Sequence, residues 1–101
     1  LEVVGDGPER AALVGLAAAL GVSDRVIFHG FTSEERKWEL LRGADVLALP
    51  SRTRGEGFGL ALLEGMAAGC ALLSTELRTG TSWINQHDRT GVVVPVDDVE
   101  A

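Results

Sequence analysis

The sequence predicts an α/β fold in which a mostly parallel β-sheet carries helices on both of its faces. Short, almost continuously apolar runs recur about every 20 to 25 residues, at 1–4, 26–29, 46–49, 71–74 and 91–94. Stretches with helical periodicity and helix-end signals separate these runs. This alternation is typical of parallel strands that are joined by crossover helices.

Three helices are predicted between the first four runs, each with a start and a stop signal. Their first and last signals are Pro8 and Gly21, Thr32 and Gly43, and Gly59 and Gly69. Thr32 with Glu35 has the spacing of a capping box. A short fourth helical turn is predicted at 81–85.

The apolar spacing within two of these helices predicts which face is buried. In the first helix the face carries Leu13, Leu16, Ala17 and Leu20. In the third helix it carries Leu60, Leu63 and Ala67, with Glu64 beside it.

Length, charge and cysteine content exclude several classes of function. The 101 residues suffice for one small domain, which is predicted to span 1–101. A formal net charge of −6 argues against a nucleic-acid partner, because phosphate backbones require clustered cations. The single cysteine, Cys70, provides neither a disulfide framework nor a metal-ligand pair, and no metal site is predicted. No apolar run approaches the roughly 20 residues of a membrane span.

Ligands of parallel α/β sheets bind beyond the carboxyl ends of the strands. The loops at that end are predicted at 5–8, 30–33, 50–59, 75–83 and 95–98. Of these, 50–59 has the most informative composition, because Gly57 and Gly59 lie between a strand and a helix.

The segment from Glu56 to Glu64 predicts a diphosphate site. Gly57 and Gly59 allow the backbone to approach a ligand closely, and a helix N-terminus presents free N–H groups to an anion. Glu64 lies about five residues into the helix, roughly 7–8 Å from its start, where a carboxylate can accept hydrogen bonds from the two hydroxyls of a ribose. Glu56, at the other end, can contact a transferred sugar or stabilise positive charge at its anomeric carbon.

A purely structural interpretation of Glu64 stays open. A carboxylate near a core surface needs a partner, and an arginine or a backbone N–H can provide one. The glycines and the strand–loop–helix context favour the functional interpretation.

Five motifs in order give the chain a resemblance to a known family. They are Gly5-Asp6-Gly7-Pro8, Val26-x-Phe28-x-Gly30, Pro50-Ser51, Glu56 and Glu64 with seven residues between them, and Gly91-x-x-Val94-Pro95. Together they cover essentially the whole chain. The sequence resembles the family 4 (group 1) retaining glycosyltransferases of the GT-B fold, and it resembles an incomplete, Rossmann-like C-terminal domain of that fold.

The resemblance implies the roles of the candidate residues. Glu56 is the catalytic candidate, which contacts the donor sugar near the reaction centre. The backbone of Phe58, Gly59 and Leu60 contacts the donor sugar and diphosphate, and Glu64 holds the ribose. The donor-binding set implied by the family and the loop positions is Gly5, Phe28, Gly30, Gly57, Phe58, Gly59, Leu60, Glu64 and Thr81, with the nucleobase near Ile27, Phe28 and Gly30.

The resemblance also implies partners and missing parts. The substrate is a nucleotide-diphospho-sugar, with no cofactor, and the acceptor is a glycan, lipid or small molecule bound by an absent N-terminal domain. An arginine and a lysine that neutralise the diphosphate would precede Leu1, on a strand that would be central to the sheet. We therefore expect the fragment alone to be inactive and to be unstable or self-associating. The family implies a location in the cytoplasm or at the cytoplasmic face of the membrane. In the second case the full-length protein would associate peripherally with the membrane.

Several alternatives stay open at this point. A non-catalytic module that binds a nucleotide or phosphorylated ligand is one, and another GT-B enzyme such as a nucleotide-sugar 2-epimerase is the other. Three loop arginines could reach phosphates or be solvated: Arg52, Arg54 and Arg78. The segment Thr79–Ser82 could approach the donor or form a polar turn. The pair Asp97 and Asp98 is best interpreted as a solvated acidic end.

Overall fold

The predicted order of strands and helices is confirmed by a computed structural model, which describes residues 1–55 and 57–101. The elements are β1 (Glu2–Val4), α1 (Arg10–Ala19), β2 (Ile27–Gly30), α2 (Glu34–Gly43), β3 (Val46–Leu49), α3 (Leu60–Ala68), β4 (Ala71–Thr75), α4 (Thr81–Ile84) and β5 (Gly91–Val94). A 3-10 turn at Ser23–Arg25, which the sequence did not predict, precedes β2. No helix in the described ranges is long and apolar enough to cross a membrane.

The strands pair in parallel, as the sequence predicted, but in two groups. The chain forms two compact units, Leu1–Leu40 and Leu41–Ala101. The first contains the pair β1-β2, and the second contains a sheet in the order β3-β4-β5. Parallel strands that are joined through helices confirm the α/β class.

Helix α1 ends as predicted at Gly21. This glycine has a φ of 68°, its N–H donates to Ala18, and the N–H of Val22 donates to Ala17. The two bonds form a Schellman motif, which satisfies carbonyls at the end of the helix.

The predicted buried face of α1 is wrong for most of its residues. Leu13, Leu16 and Leu20 are 45%, 52% and 66% exposed, and only Ala17 is buried. The reason is the size of the first unit, in which two strands of three and four residues offer little surface to cover a ten-residue helix.

Helix α2 begins one residue later than the capping box predicted. The hydroxyl of Ser33, and not that of Thr32, accepts a hydrogen bond from the N–H of Arg36 at 3.1 Å. Glu34 and Glu35 then occupy the first turn, where negative charge interacts favourably with the helix dipole.

The core of the second unit lies where α3 packs against β3 and β4. Leu62 is fully buried and Leu72 is 2% exposed. A Cβ at Gly65 would lie 2.4 Å from Cδ2 of Leu47, so the helix contacts the sheet there without a side chain. The predicted face of Leu60, Leu63 and Ala67 is therefore wrong, because the close approach at Gly65 turns the opposite side of α3 inward.

Polar side chains complete this core. Asn85 is 1% exposed, and its Nδ2 donates to Oγ of Ser74 at 2.9 Å and to the carbonyl of Val92 at 3.0 Å. Buried amides of this kind require such partners, and these bonds join β4 to β5 through the end of α4.

Candidate functional site

The strongest candidate site lies in the second unit, where the connection from β3 enters α3. We call residues 57–59 the glycine loop. Gly59 immediately precedes α3 and has a φ of 73°, a left-handed conformation that glycine adopts without steric cost. Among the described residues, no side chain caps this helix start. The N–H groups of the first turn of α3 are therefore the kind of donors that bind anions.

The segment after β4 holds the glycine loop in place. The N–H of Gly80 donates to the carbonyl of Gly57 at 2.8 Å. A Cβ at Gly80 would lie 2.7 Å from that carbonyl oxygen and 3.0 Å from Cα of Phe58. The two backbones are thus in direct contact, and this contact depends on the absence of a side chain at position 80.

Buried Thr81 packs against the glycine loop at Gly59. It is 1% exposed, its hydroxyl lies 3.0 Å from that of Thr79, and its methyl group would be 2.8 Å from a Cβ at Gly59. The predicted donor contact of Thr81 stays a prediction, and its described side chain is occupied by packing and by Thr79.

The remaining candidates of this loop differ in exposure. Phe58 and Leu60 are 58% and 63% exposed, whereas Glu64 is half-buried on the flank of α3. Glu56, the catalytic candidate, lies outside the described residues. The structure therefore brings Gly57, Phe58, Gly59, Leu60 and Thr81 together in one unit, with Glu64 further along the same helix.

Two arginines of the loop after β3, Arg52 and Arg54, bind other residues of the chain. Arg52 forms a two-point ion pair with Asp97, with Nε–Oδ1 at 2.7 Å and Nη2–Oδ2 at 3.0 Å. Nη2 of Arg54 donates to the carbonyl of Arg78 at 3.1 Å. Asp97, predicted to be a solvated acidic residue, is thus an exposed partner in an ion pair.

Glu76 orders the segment between β4 and α4. Its carboxylate accepts a hydrogen bond from the hydroxyl of Ser82 and another from the N–H of Arg78 at 2.7 Å. These bonds, first that from Ser82 and then that from Arg78, lower the pKa of the Glu76 carboxyl. Sequence analysis missed this residue, since a glutamate in a polar loop has no spacing that marks it.

The first unit brings its own candidates together. The N–H of Gly5 donates to the carbonyl of Gly30 at 2.8 Å, and both glycines have positive φ, 116° and 70°. The Arg10 guanidinium covers Gly30, and its Nη2 donates to the carbonyl of Phe28 at 3.3 Å. Gly5, Phe28 and Gly30 therefore share one end of the β1-β2 pair.

Histidines and acidic residues show no metal site in the described ranges. No group of three potential ligands occurs there. His29 lies against the carboxylate of Glu2 on the neighbouring strand, and Nδ1 of His87 accepts a hydrogen bond from the N–H of Val93 at 3.0 Å.

Comparisons with known proteins agree on one family. The family model described as "Glycosyl transferases group 1" matches residues 1–101. The chain is 46% identical over 93 residues to the D-rhamnosyltransferase WbpZ of Pseudomonas aeruginosa, covering 92% of this chain and 24% of that protein. It is 39% identical over 99 residues to the O-antigen chain mannosyltransferase C of Escherichia coli, covering 98% of this chain and 26% of that protein.

A third relative and two solved structures support this result. The chain is 38% identical over 99 residues to a GDP-mannose-dependent α-(1-6)-phosphatidylinositol monomannoside mannosyltransferase of Mycobacterium tuberculosis, covering 93% of this chain and 26% of that protein. The fold matches the sucrose-phosphate synthase of Thermosynechococcus elongatus with a TM-score of 0.84 and 30% identity, over 97% of this chain and 26% of that one. It matches the lipopolysaccharide outer core galactosyltransferase WaaB with a TM-score of 0.82 and 24% identity, over 97% of this chain and 28% of that one.

The chain thus spans about a quarter of the length of these relatives. The family match extends over every residue of the chain, and the described parallel strands and helices have the fold of GT-B glycosyltransferases. The chain belongs to the group 1 glycosyltransferases.

Proposed function

We propose that a full-length protein carrying this chain is a retaining hexosyltransferase that uses a nucleoside-diphospho-sugar. The observation that carries the proposal is the start of α3 behind a left-handed glycine, where no described side chain caps the helix. Backbone N–H groups at such a position stabilise a diphosphate, and most strongly when it accumulates charge as the leaving group. No cofactor is needed for this chemistry, because the activated bond is in the donor.

Two glutamates complete the proposed donor site. Glu64, one turn further along α3 and half-buried, accepts hydrogen bonds from the ribose hydroxyls. Glu56 contacts the transferred sugar and stabilises the oxocarbenium-like transition state. The donor contacts that the family resemblance implies for Gly5, Phe28 and Gly30 stay a prediction.

The donor we propose to test first is GDP-mannose. One relative is named as GDP-mannose-dependent, and another is named as a mannosyltransferase. D-Rhamnose, which a further relative transfers according to its name, is a 6-deoxy form of mannose. These names support a sugar of the manno configuration and a guanosine diphosphate leaving group.

The other partners follow from the class of reaction. The acceptor is a glycan, lipid or small molecule, bound by parts of the protein outside this chain. We place the reaction in the cytoplasm or on the cytoplasmic membrane face, and fractionation of cells that express the full-length protein tests that location. A non-catalytic binding module and an epimerase are not favoured, because the named relatives are transferases.

Calorimetric titration of the full-length protein tests the proposed donor site. GDP, GDP-mannose, UDP and UDP-glucose are titrated into the wild type and into Glu64→Ala. Loss of a charged hydrogen-bond partner is expected to weaken binding by about 1.5–3 kcal/mol, or roughly 10- to 150-fold in Kd. The control is Glu39→Ala, which removes an exposed helical glutamate whose described contact is an ion pair with Arg36.

The outcomes separate the interpretations of Glu64. A loss for one nucleotide and not for the other supports the ribose contact and identifies the base. Equal affinities of wild type and Glu64→Ala would make Glu64 structural. Retention is tested separately, by measuring with NMR whether the α-linked donor yields an α-linked product.

A further inference from the structure

The segments that follow β3 and β5 are joined by one ion pair, between Arg52 and Asp97. Both oxygens of Asp97 face the guanidinium, at 2.7 and 3.0 Å. Because β3 and β5 flank β4 in the sheet, this pair extends across the end of the middle strand. It therefore connects the segment that leads to the glycine loop with the far side of the same sheet.

Asp97 combines a left-handed backbone with a carboxylate that holds Arg52. Asp97 has a φ of 61°, in the left-handed region that glycine adopts freely and other residues adopt at some cost. An aspartate at this position keeps a strained backbone and supplies a side chain that glycine lacks. The structure uses that side chain to hold Arg52, and the hydrogen bond and charge of Asp97 raise the pKa of Arg52.

The other described ties of the 50–59 connection run to the last residue of β4 and to the segment after it. The hydroxyl of Thr75 donates to the carbonyl of Ser51, Arg54 donates to the carbonyl of Arg78, and Gly80 donates to Gly57. The Arg52–Asp97 pair adds a tie on the side of β5. With it, the described part of the connection is tied to the ends of both other strands of its sheet, β4 and β5.

We propose that Arg52 and Asp97 form a latch that positions the connection from β3 to the glycine loop for donor binding. The latch makes Arg52 a positioning residue and not a ligand of the diphosphate, and this inference rests on the proposed function. Both side chains are exposed, at 73% and 58%, so the latch is sensitive to salt and its effect is moderate.

A double-mutant cycle in the full-length protein tests the latch. Arg52→Gln, Asp97→Asn and the double variant are compared with the wild type for the Kd of GDP and GDP-mannose. We expect each single variant to bind about two- to fivefold more weakly, and the double variant to be no worse than either, because each change removes the same interaction. Because salt screens an exposed ion pair, we expect added salt to narrow the difference in donor Kd between the wild type and Asp97→Asn.

Asp97→Gly separates positioning from general stability. Glycine relieves the left-handed strain and removes the carboxylate, so the Tm is expected to stay the same or rise while donor affinity falls as in Asp97→Asn. Hydrogen exchange without donor provides a second readout, and the latch predicts faster amide exchange at 51–55 in all four variants.

Three results would overturn the latch. Weaker binding in Arg52→Gln with unchanged or tighter binding in Asp97→Asn would mean that Arg52 contacts the donor itself. Unchanged affinity and unchanged exchange in all four variants would make the pair a surface contact without a role. If the wild type binds none of the nucleotides, the proposed function fails and the positioning role fails with it, whatever the exchange rates show.

Discussion

Two glycines, one in each unit, have nearly the same backbone and very different surroundings. Gly30 and Gly59 have φ values of 70° and 73°, and a Cβ on either would lie 2.8 Å from its nearest neighbour. At Gly30 that neighbour is the end of the Arg10 guanidinium, on a side chain that is 42% exposed. At Gly59 it is a methyl group of Thr81, which is 1% exposed, with fully buried Leu62 next to it.

The difference shows which turn is built to be rigid. An arginine tip can move away at little cost, whereas a buried threonine methyl and a buried leucine cannot, since protein cores are close-packed. The anion site that we propose is at the turn with the rigid surroundings. The turn in the first unit is covered by a flexible cation instead.

The largest expected effect is that of Gly59→Ala. Alanine adds left-handed strain and overpacks the contact with Thr81, so we expect the free energy of unfolding to fall by about 2–5 kcal/mol. Urea denaturation of the full-length protein measures this change. Thr81→Ser, which deletes the clashing methyl group, should recover part of the loss in the double variant, and the absence of any recovery would contradict the assigned contact.

A smaller effect is expected for Gly30→Ala. The Arg10 tip can relax, so that only the left-handed strain of about 1–2 kcal/mol is left. The same urea experiment measures it. If Gly30→Ala cost as much as Gly59→Ala, the distinction between flexible and rigid surroundings would be wrong.

The sequence predicted the fold well and the packing less well. Strand and helix order, the stop at Gly21 and the helix start after Gly59 follow from local signals of apolar runs and glycine conformations. The buried face of α3 was predicted wrongly, because it depends on the close approach of Gly65 to Leu47, a contact between distant segments. The same reason applies to α1, whose apolar face finds little partner surface in the first unit.

For the candidate site, the sequence predicted the glycine loop and the helix after it, but not the residues that contact and hold the loop. The glycine loop and its helix are contiguous in sequence, so the local sequence was enough to predict a glycine-rich helix start of the kind that binds anions. The residues that hold this region are distant in sequence. Gly80, which bonds to Gly57, is more than 20 positions away from it, and Asp97 is 45 positions away from Arg52. No spacing rule links such pairs, and only folding brings them together.

The smallest expected effect concerns Glu76, which orders the segment against the glycine loop. Its folded-state pKa is lowered by Ser82 and Arg78, so its stabilising contribution is fully present above the unfolded pKa of about 4.3 and is lost as the pH falls through the lower folded value. The difference in Tm between wild type and Glu76→Gln should therefore be widest near neutral pH and shrink in acid. A difference that is independent of pH would show that the charge of Glu76 is not what orders the segment.

A crystal structure of the full-length protein with GDP tests the proposed anion site most directly. We expect the diphosphate to lie at the start of α3, with its oxygens about 2.7–3.2 Å from backbone nitrogens of the first turn, Leu60 and Ala61. We also expect the ribose to lie beside Glu64. A diphosphate bound away from this helix start would contradict the proposed anion site, because the left-handed Gly59 and its buried support would then serve packing alone.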